Sequence, residues 1–253
     1  MSSLQDQYLQ AMGIQRWQRR SIEADPAIPA MEQTCMAVSI MQGGAMATHK
    51  RFKAPADTPN ISSADILRLD WQALERAVSV CTRCRLHETR TQTVFGVGNR
   101  RADWMVIGEA PGAEEDRQGE PFVGRAGQLL NAMLKAIGLA REEVYIANIL
   151  KSRPPHNRDP LPDEVAACEP YLLRQIELVQ PKIILAVGRI AAQNLLKTDT
   201  KIGLLRGKRH TYPGTAIPLV VTYHPAYLLR APAEKRKAWE DLQFARRVLK
   251  GEV

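Results

Sequence analysis

Trp104-Met105-Val106-Ile107-Gly108-Glu109-Ala110-Pro111-Gly112 is the stretch on which the reading of the fold turns. Four apolar residues in a row read as a strand buried on both faces, the pattern of a parallel sheet covered by helices. The run stops at a turn rich in Gly and Pro that holds one carboxylate, Glu109, just past the strand end. In open α/β sheets, ligands bind outside the carboxyl ends of the strands. The turn therefore reads as one wall of a pocket.

Downstream, strands and helices alternate. Residues 127–137 suit an amphipathic helix, with Leu129, Leu130, Met133 and Leu134 inward and Gly138 as its stop. Residues 144–149, 182–187 and 218–222 read as three further strands. Pro162 and Asp163 open a helix carrying Val165, Cys168, Leu172 and Ile176. Another helix follows Gly188 as far as Leu196, and a last one covers residues 233–249. The alternation predicts a three-layer α/β/α domain with a central parallel four-stranded sheet.

Upstream, Ser63 is placed to cap one helix that carries Ile66, Trp71, Leu74 and Val78 and runs into Cys81-Thr82-Arg83-Cys84. The compact domain is thus expected over residues 63–253. Residues 1–62 hold scattered Pro and Gly among Ala, Met, Gln and Ser, and are expected to be a flexible extension. Within it, residues 4–20 suit a short helix, and His49-Lys50-Arg51 with Lys53 forms a small basic cluster read as solvated linker.

With 253 residues, 45% hydrophobic and 25% charged, the chain can bury a sizeable core. It has no run of about 18 apolar residues, the length a spanning helix needs, and no basic-then-apolar leader. A cytoplasmic location and no membrane partner are expected. The net charge of +8 favours a polyanionic partner, because Lys and Arg gain affinity by releasing counterions from phosphates. A basic surface without such a partner carries the same charge. The four cysteines, Cys35, Cys81, Cys84 and Cys168, are too few for a disulfide scaffold of this size and suggest metal or cluster binding.

Polar groups cluster at three expected strand ends: Gly108-Glu109, Asn148 with Lys151, and Tyr223-His224-Pro225. On a parallel sheet they converge on one rim. There Glu109 can orient water, Asn148 can donate and accept along an amide edge, and His224 can donate to a developing oxyanion. Each alone has an ordinary explanation: a capping carboxylate, a turn-forming Asn, a structural His. Their joint placement is what points to a site.

These residues also carry a likeness. The segment 81–230 resembles the uracil-DNA glycosylase superfamily, most closely its family 4, the iron–sulfur branch. The resemblance rests on Cys81-Thr82-Arg83-Cys84, Gly108-Glu109-Ala110-Pro111-Gly112, Pro121-Phe122-Val123-Gly124, Tyr145-Ile146-Ala147-Asn148, Arg153-Pro154-Pro155-His156-Asn157-Arg158, Cys168 before Pro170-Tyr171-Leu172, and His224-Pro225-Ala226-Tyr227-Leu228-Leu229-Arg230. It implies an enzyme that cuts the N-glycosidic bond of uracil in DNA, single- or double-stranded, and acts as a monomer in base-excision repair. Phe122 would stack on the extruded base, with Gly108 beside it and Asn148 reading its amide edge. His224 would stabilise the departing uracil anion at O2, and Glu109 would position or activate water. Leu228, Leu229 and Arg230 would enter the duplex. Phe122, Leu228 and Leu229 also fit ordinary core packing, and Tyr227 fits a packing role.

The same likeness implies a structural 4Fe-4S cluster on Cys81, Cys84, Cys168 and a fourth cysteine. That fourth position holds Ser152. An oxygen ligand from Ser152, Cys35 reaching in from the extension, a three-thiolate form, or no cluster are the alternatives. Two basic segments suit phosphate contact: Lys201, Arg206, Lys208, Arg209 and His210, and Arg230, Lys235, Arg236 and Lys237. A non-catalytic iron–sulfur module that binds DNA or a protein partner, and a glycosylase for another deaminated base, are the rival readings.

Overall fold

The computed structural model describes residues 61–253. The expected helix over 4–20, the flexible extension, Cys35 and the basic cluster at 49–53 lie outside the described residues. Six strands form one sheet: β1 (Val97–Gly98), β2 (Trp104–Gly108), β3 (Tyr145–Asn148), β4 (Ile183–Val187), β5 (Arg209–Thr211) and β6 (Pro218–Thr222). Their order is β1-β3-β2-β4-β6-β5. The central four are parallel and are the four expected strands. The sheet is nonetheless six-stranded and mixed, because β1 and β5 pair antiparallel on its two edges. Val97–Gly98 is too short to show an apolar run, and Arg209–Thr211 is short and polar.

Nine helices flank it among the described residues: α1 (Ser63–Ile66), α2 (Trp71–Ser79), α3 (Ala113–Gln118), α4 (Arg125–Ala136), α5 (Pro162–Val179), α6 (Arg189–Leu196), α7 (Ile202–Leu205), α8 (Pro225–Arg230) and α9 (Lys235–Leu249). Alternate strand residues face opposite layers. Val106, Ile146, Leu185 and Val220 pack with Leu130, Met133 and Leu134 of α4 and Ala238, Leu242 and Ala245 of α9. Met105, Ile107, Ala147, Ile184 and Val221 pack with Leu172 and Ile176 of α5 and Ala191 and Leu195 of α6. Among the described residues no helix is long and apolar enough to cross a membrane.

One local expectation needs correction. The helix expected from Ser63 is two helices, α1 capped by Ser62 and α2 capped by Asp70. Each cap offers its side-chain oxygen to a free first-turn N–H, so both termini are locally encoded. The last helix expected over residues 233–249 is α9, and ahead of it residues 225–230, outside any expected element, form the separate short helix α8, ended before Pro232. That break turns Leu228 fully into the core, in contact with the α4 and α9 layer.

Candidate active site

The four parallel strands bring Gly108-Glu109, Asn148, Gly188 and Tyr223-His224 to one rim, and all of these but Gly108 line a single cavity of about 740 Å³. Gly108 of β2 stands directly opposite Asn148 of β3 in register. Pairing runs on past the strand ends, since Ile149 N–H donates to Gly108 O at 3.0 Å and Leu150 N–H to Glu109 O at 3.1 Å. The amide and the carboxylate are thus set by sheet hydrogen bonds rather than by a free loop.

Phe122 is buried and adopts a left-handed backbone, φ 54°. That conformation is costly for a bulky residue and persists only where the surroundings impose it. Two clamps impose it. Glu115 accepts from Val123 N–H at 3.1 Å, Gly124 N–H at 3.3 Å and Gly112 N–H at 3.1 Å. Arg141 donates to Pro121 O at 2.5 Å and to Phe122 O at 3.3 Å. The chain must also pass close beneath: a Cβ on Gly127 would lie 1.8 Å from Phe122 O. So held, the Phe122 ring lies nearly parallel to His224, with 5.6 Å between centroids. Its edge crosses Gly108, where a Cβ would meet Phe122 Cζ at 2.6 Å and Asn148 Oδ1 at 2.5 Å. Glu115 was not singled out from sequence, although Gly112-x-x-Glu115 ahead of a helix is a capping-box spacing.

Asn148 is 2% exposed, and its Oδ1 has no hydrogen-bond partner among the described residues. A buried orphan acceptor costs free energy unless a ligand satisfies it. His224 caps α8, its Nδ1 accepting from Ala226 N–H at 3.1 Å. An accepting Nδ1 places the imidazole proton on Nε2. Burial, reinforced by the Arg230 charge, pushes the imidazole down to about 4. His224 is therefore a neutral donor at physiological pH. Glu109 is half-buried, and burial together with the Asp159 carboxylate raises it to about 7, against the opposing pull of Arg189. Arg189 itself pairs with Asp159 at 2.6 Å.

The cysteines form a second locus. Cys84 lies just beyond α2, and Cys168 is buried in α5. Cys84 and Cys168 each feel the charge of Cys81, and Arg90 feels all three sulfurs. Ser152 is buried, and its Oγ accepts from Arg90 at 3.0 Å. No group of three or more His, Cys, Asp or Glu among the described residues is arranged to hold a single metal ion. The sulfurs of a cluster stand further apart than donors around one ion, and three soft thiols in one neighbourhood suit such a group. Ser152, at the position expected for a fourth ligand, offers a hard hydroxyl already engaged by Arg90.

Several residues expected to touch DNA do other work. Leu228 is fully buried and does not project as a wedge, while Leu229 is half-buried against the same core. Arg206 is bound to the buried Asp241 by two hydrogen bonds of 3.0 Å. His210 Nε2 lies 2.7 Å from Leu205 O, and Arg209 donates to Val253 O at 3.0 Å. Lys208 and Arg209 are exposed but do not line the cavity, whereas Arg230 does.

A planar ring with neighbouring N–H and C=O groups is the ligand such walls fit, so fold and pocket together define an α/β protein that reads a nucleobase. The family model of the uracil DNA glycosylase superfamily matches residues 95–243. The type-4 uracil-DNA glycosylase of Archaeoglobus fulgidus is 46% identical over 174 residues, 66% of this chain and 87% of that protein. The type-4 enzyme of Thermotoga maritima is 41% identical over 72% of this chain and 95% of its own length. A type-5 uracil-DNA glycosylase of Pyrobaculum aerophilum is 30% identical over 52% of this chain and 64% of that protein. The chain belongs to the uracil DNA glycosylase superfamily, in its type-4 branch.

Proposed function

We propose that this chain, as a monomer, removes uracil from single- or double-stranded DNA by hydrolysing its N-glycosidic bond. The observation that carries the reading is the orphan Oδ1 of Asn148 beside the Phe122 ring. Uracil offers an N3–H to that acceptor and an O4 to the amide Nδ2; cytosine has an unprotonated N3 there and would set two acceptors against each other. The base cannot be reached inside the stack, so it is flipped out at a cost of a few kcal/mol and its face rests on Phe122.

Bond breaking sends the electron pair of the C1′–N1 bond into the uracil ring, leaving an oxocarbenium-like sugar. The uracil O2 takes up much of the charge, and the neutral His224 Nε2–H donates to it. Ionised Glu109 stabilises the cationic sugar and takes the proton of the water that attacks C1′. The test is alkali cleavage of a uracil-containing oligonucleotide after incubation with the protein. Wild type produces strand breaks at uracil, and Asn148→Ala lowers kcat/KM at least tenfold, the value of one good hydrogen bond to a buried group. No cleavage by wild type would overturn the reading.

Cys81, Cys84 and Cys168 would hold three corners of a 4Fe-4S cluster, which would supply a structural cross-link between the end of α2 and α5. Thiolate is a better match than hydroxyl for iron. Ser152→Cys therefore raises iron and sulfide per chain after purification. Unchanged content would exclude that position as the fourth corner.

A further inference from the structure

We propose that Tyr227 is a second base-stacking platform, which takes the nucleotide adjoining the flipped uracil. The inference rests on the uracil-excision reading above and adds a subsite to it.

With Leu228 buried and Leu229 half-buried, the exposed residues of α8 that line the cavity are Tyr227 and Arg230. Tyr227 is 39% exposed, which is high for a large ring at the mouth of a cavity. It lies three residues beyond His224, with its N–H donating to His224 O at 2.9 Å. Tyr227 and His224 line the same cavity, so a strand that delivers its flipped uracil to His224 passes its adjoining nucleotide over the exposed Tyr227 ring.

The ring is backed rather than loose. Tyr227 packs on Tyr223 with centroids 5.1 Å apart and planes at 51°. The Arg206 guanidinium covers Tyr223 at 4.9 Å from its centroid. Arg206 is in turn fixed by Asp241, which is 1% exposed, and by the carbonyl of Lys237. A basic residue that looks from sequence like a phosphate contact thus serves as the rear support of an aromatic shelf. Arg230 stands on the same rim to meet the backbone of the strand. Every base has a π-face, so this shelf is indifferent to which base follows uracil.

The experiment uses a single-stranded oligonucleotide with 2′-fluoro-2′-deoxyuridine, which resists cleavage, and 2-aminopurine on its 5′ or its 3′ side. Stacking on an aromatic ring quenches 2-aminopurine. Wild type quenches the probe on one flank. Tyr227→Ala leaves that probe bright and weakens binding about tenfold, and Tyr227→Trp keeps the quenching. Equal fluorescence with wild type and Tyr227→Ala on both flanks overturns the subsite. Excision of unmodified uracil by wild type is measured alongside. Excision with unaltered fluorescence overturns the subsite alone, and absence of excision overturns the uracil reading with it.

Discussion

Glu109→Gln is expected to lower kcat/KM by about 100- to 10,000-fold, the range for a positioned general base, and to abolish the acid limb of its pH profile. The sign follows from the buried carboxyl. Its raised value, about 7, means that the ionised form is lost as pH falls through neutrality. Below that point wild-type kcat/KM should drop tenfold per pH unit, and above it should be flat. His224 adds nothing in this window, because it stays neutral down to about 4. Asp159 raises Glu109 and Arg189 lowers it. Asp159→Asn therefore moves the inflection to lower pH, and Arg189→Gln moves it higher. A wild-type inflection in the ordinary carboxylate range would contradict the assignment of Glu109 as the base.

His224→Ala is expected to cost about 100- to 1,000-fold in kcat, the value of one preorganised donor at a developing oxyanion. KM should change little, because the charge on O2 builds up only as the bond breaks. The donor is prepared before substrate arrives: the Ala226 N–H occupies Nδ1 and leaves the proton on Nε2. The wild-type acid limb should persist in His224→Ala, since it belongs to Glu109. Single-turnover excision across pH 5 to 9 separates the two variants. Equal losses in kcat and in substrate affinity would make His224 a binding group instead.

The parallel core of the sheet was legible because strands buried on both faces must carry consecutive apolar residues, as Trp104–Gly108 and Ile183–Val187 do. The convergence of Glu109, Asn148 and His224 followed from the rule that places ligands at strand carboxyl ends. The edges were not legible. Val97–Gly98 has two residues, and Arg209–Thr211 alternates between exposed and half-buried. Nor were the partners of Arg206 and Arg141. Arg206 meets Asp241 across 35 residues, and Arg141 reaches back 20 to Pro121, separations over which local pattern says nothing. Leu228 misled because an apolar pair beside Arg looks the same whether it faces DNA or the core. Only the packing of α8 against α4 and α9, which buries Leu228, decides it.

The lacing of Gly108 and Glu109 to Ile149 and Leu150 has one more consequence. The backbone that carries Glu109 and the backbone that follows Asn148 are tied in one register, so the groups proposed to serve the water and the base are held at a set spacing. On the proposed mechanism, the end of the sheet is a fixed gauge against which the outline of a lesion is matched.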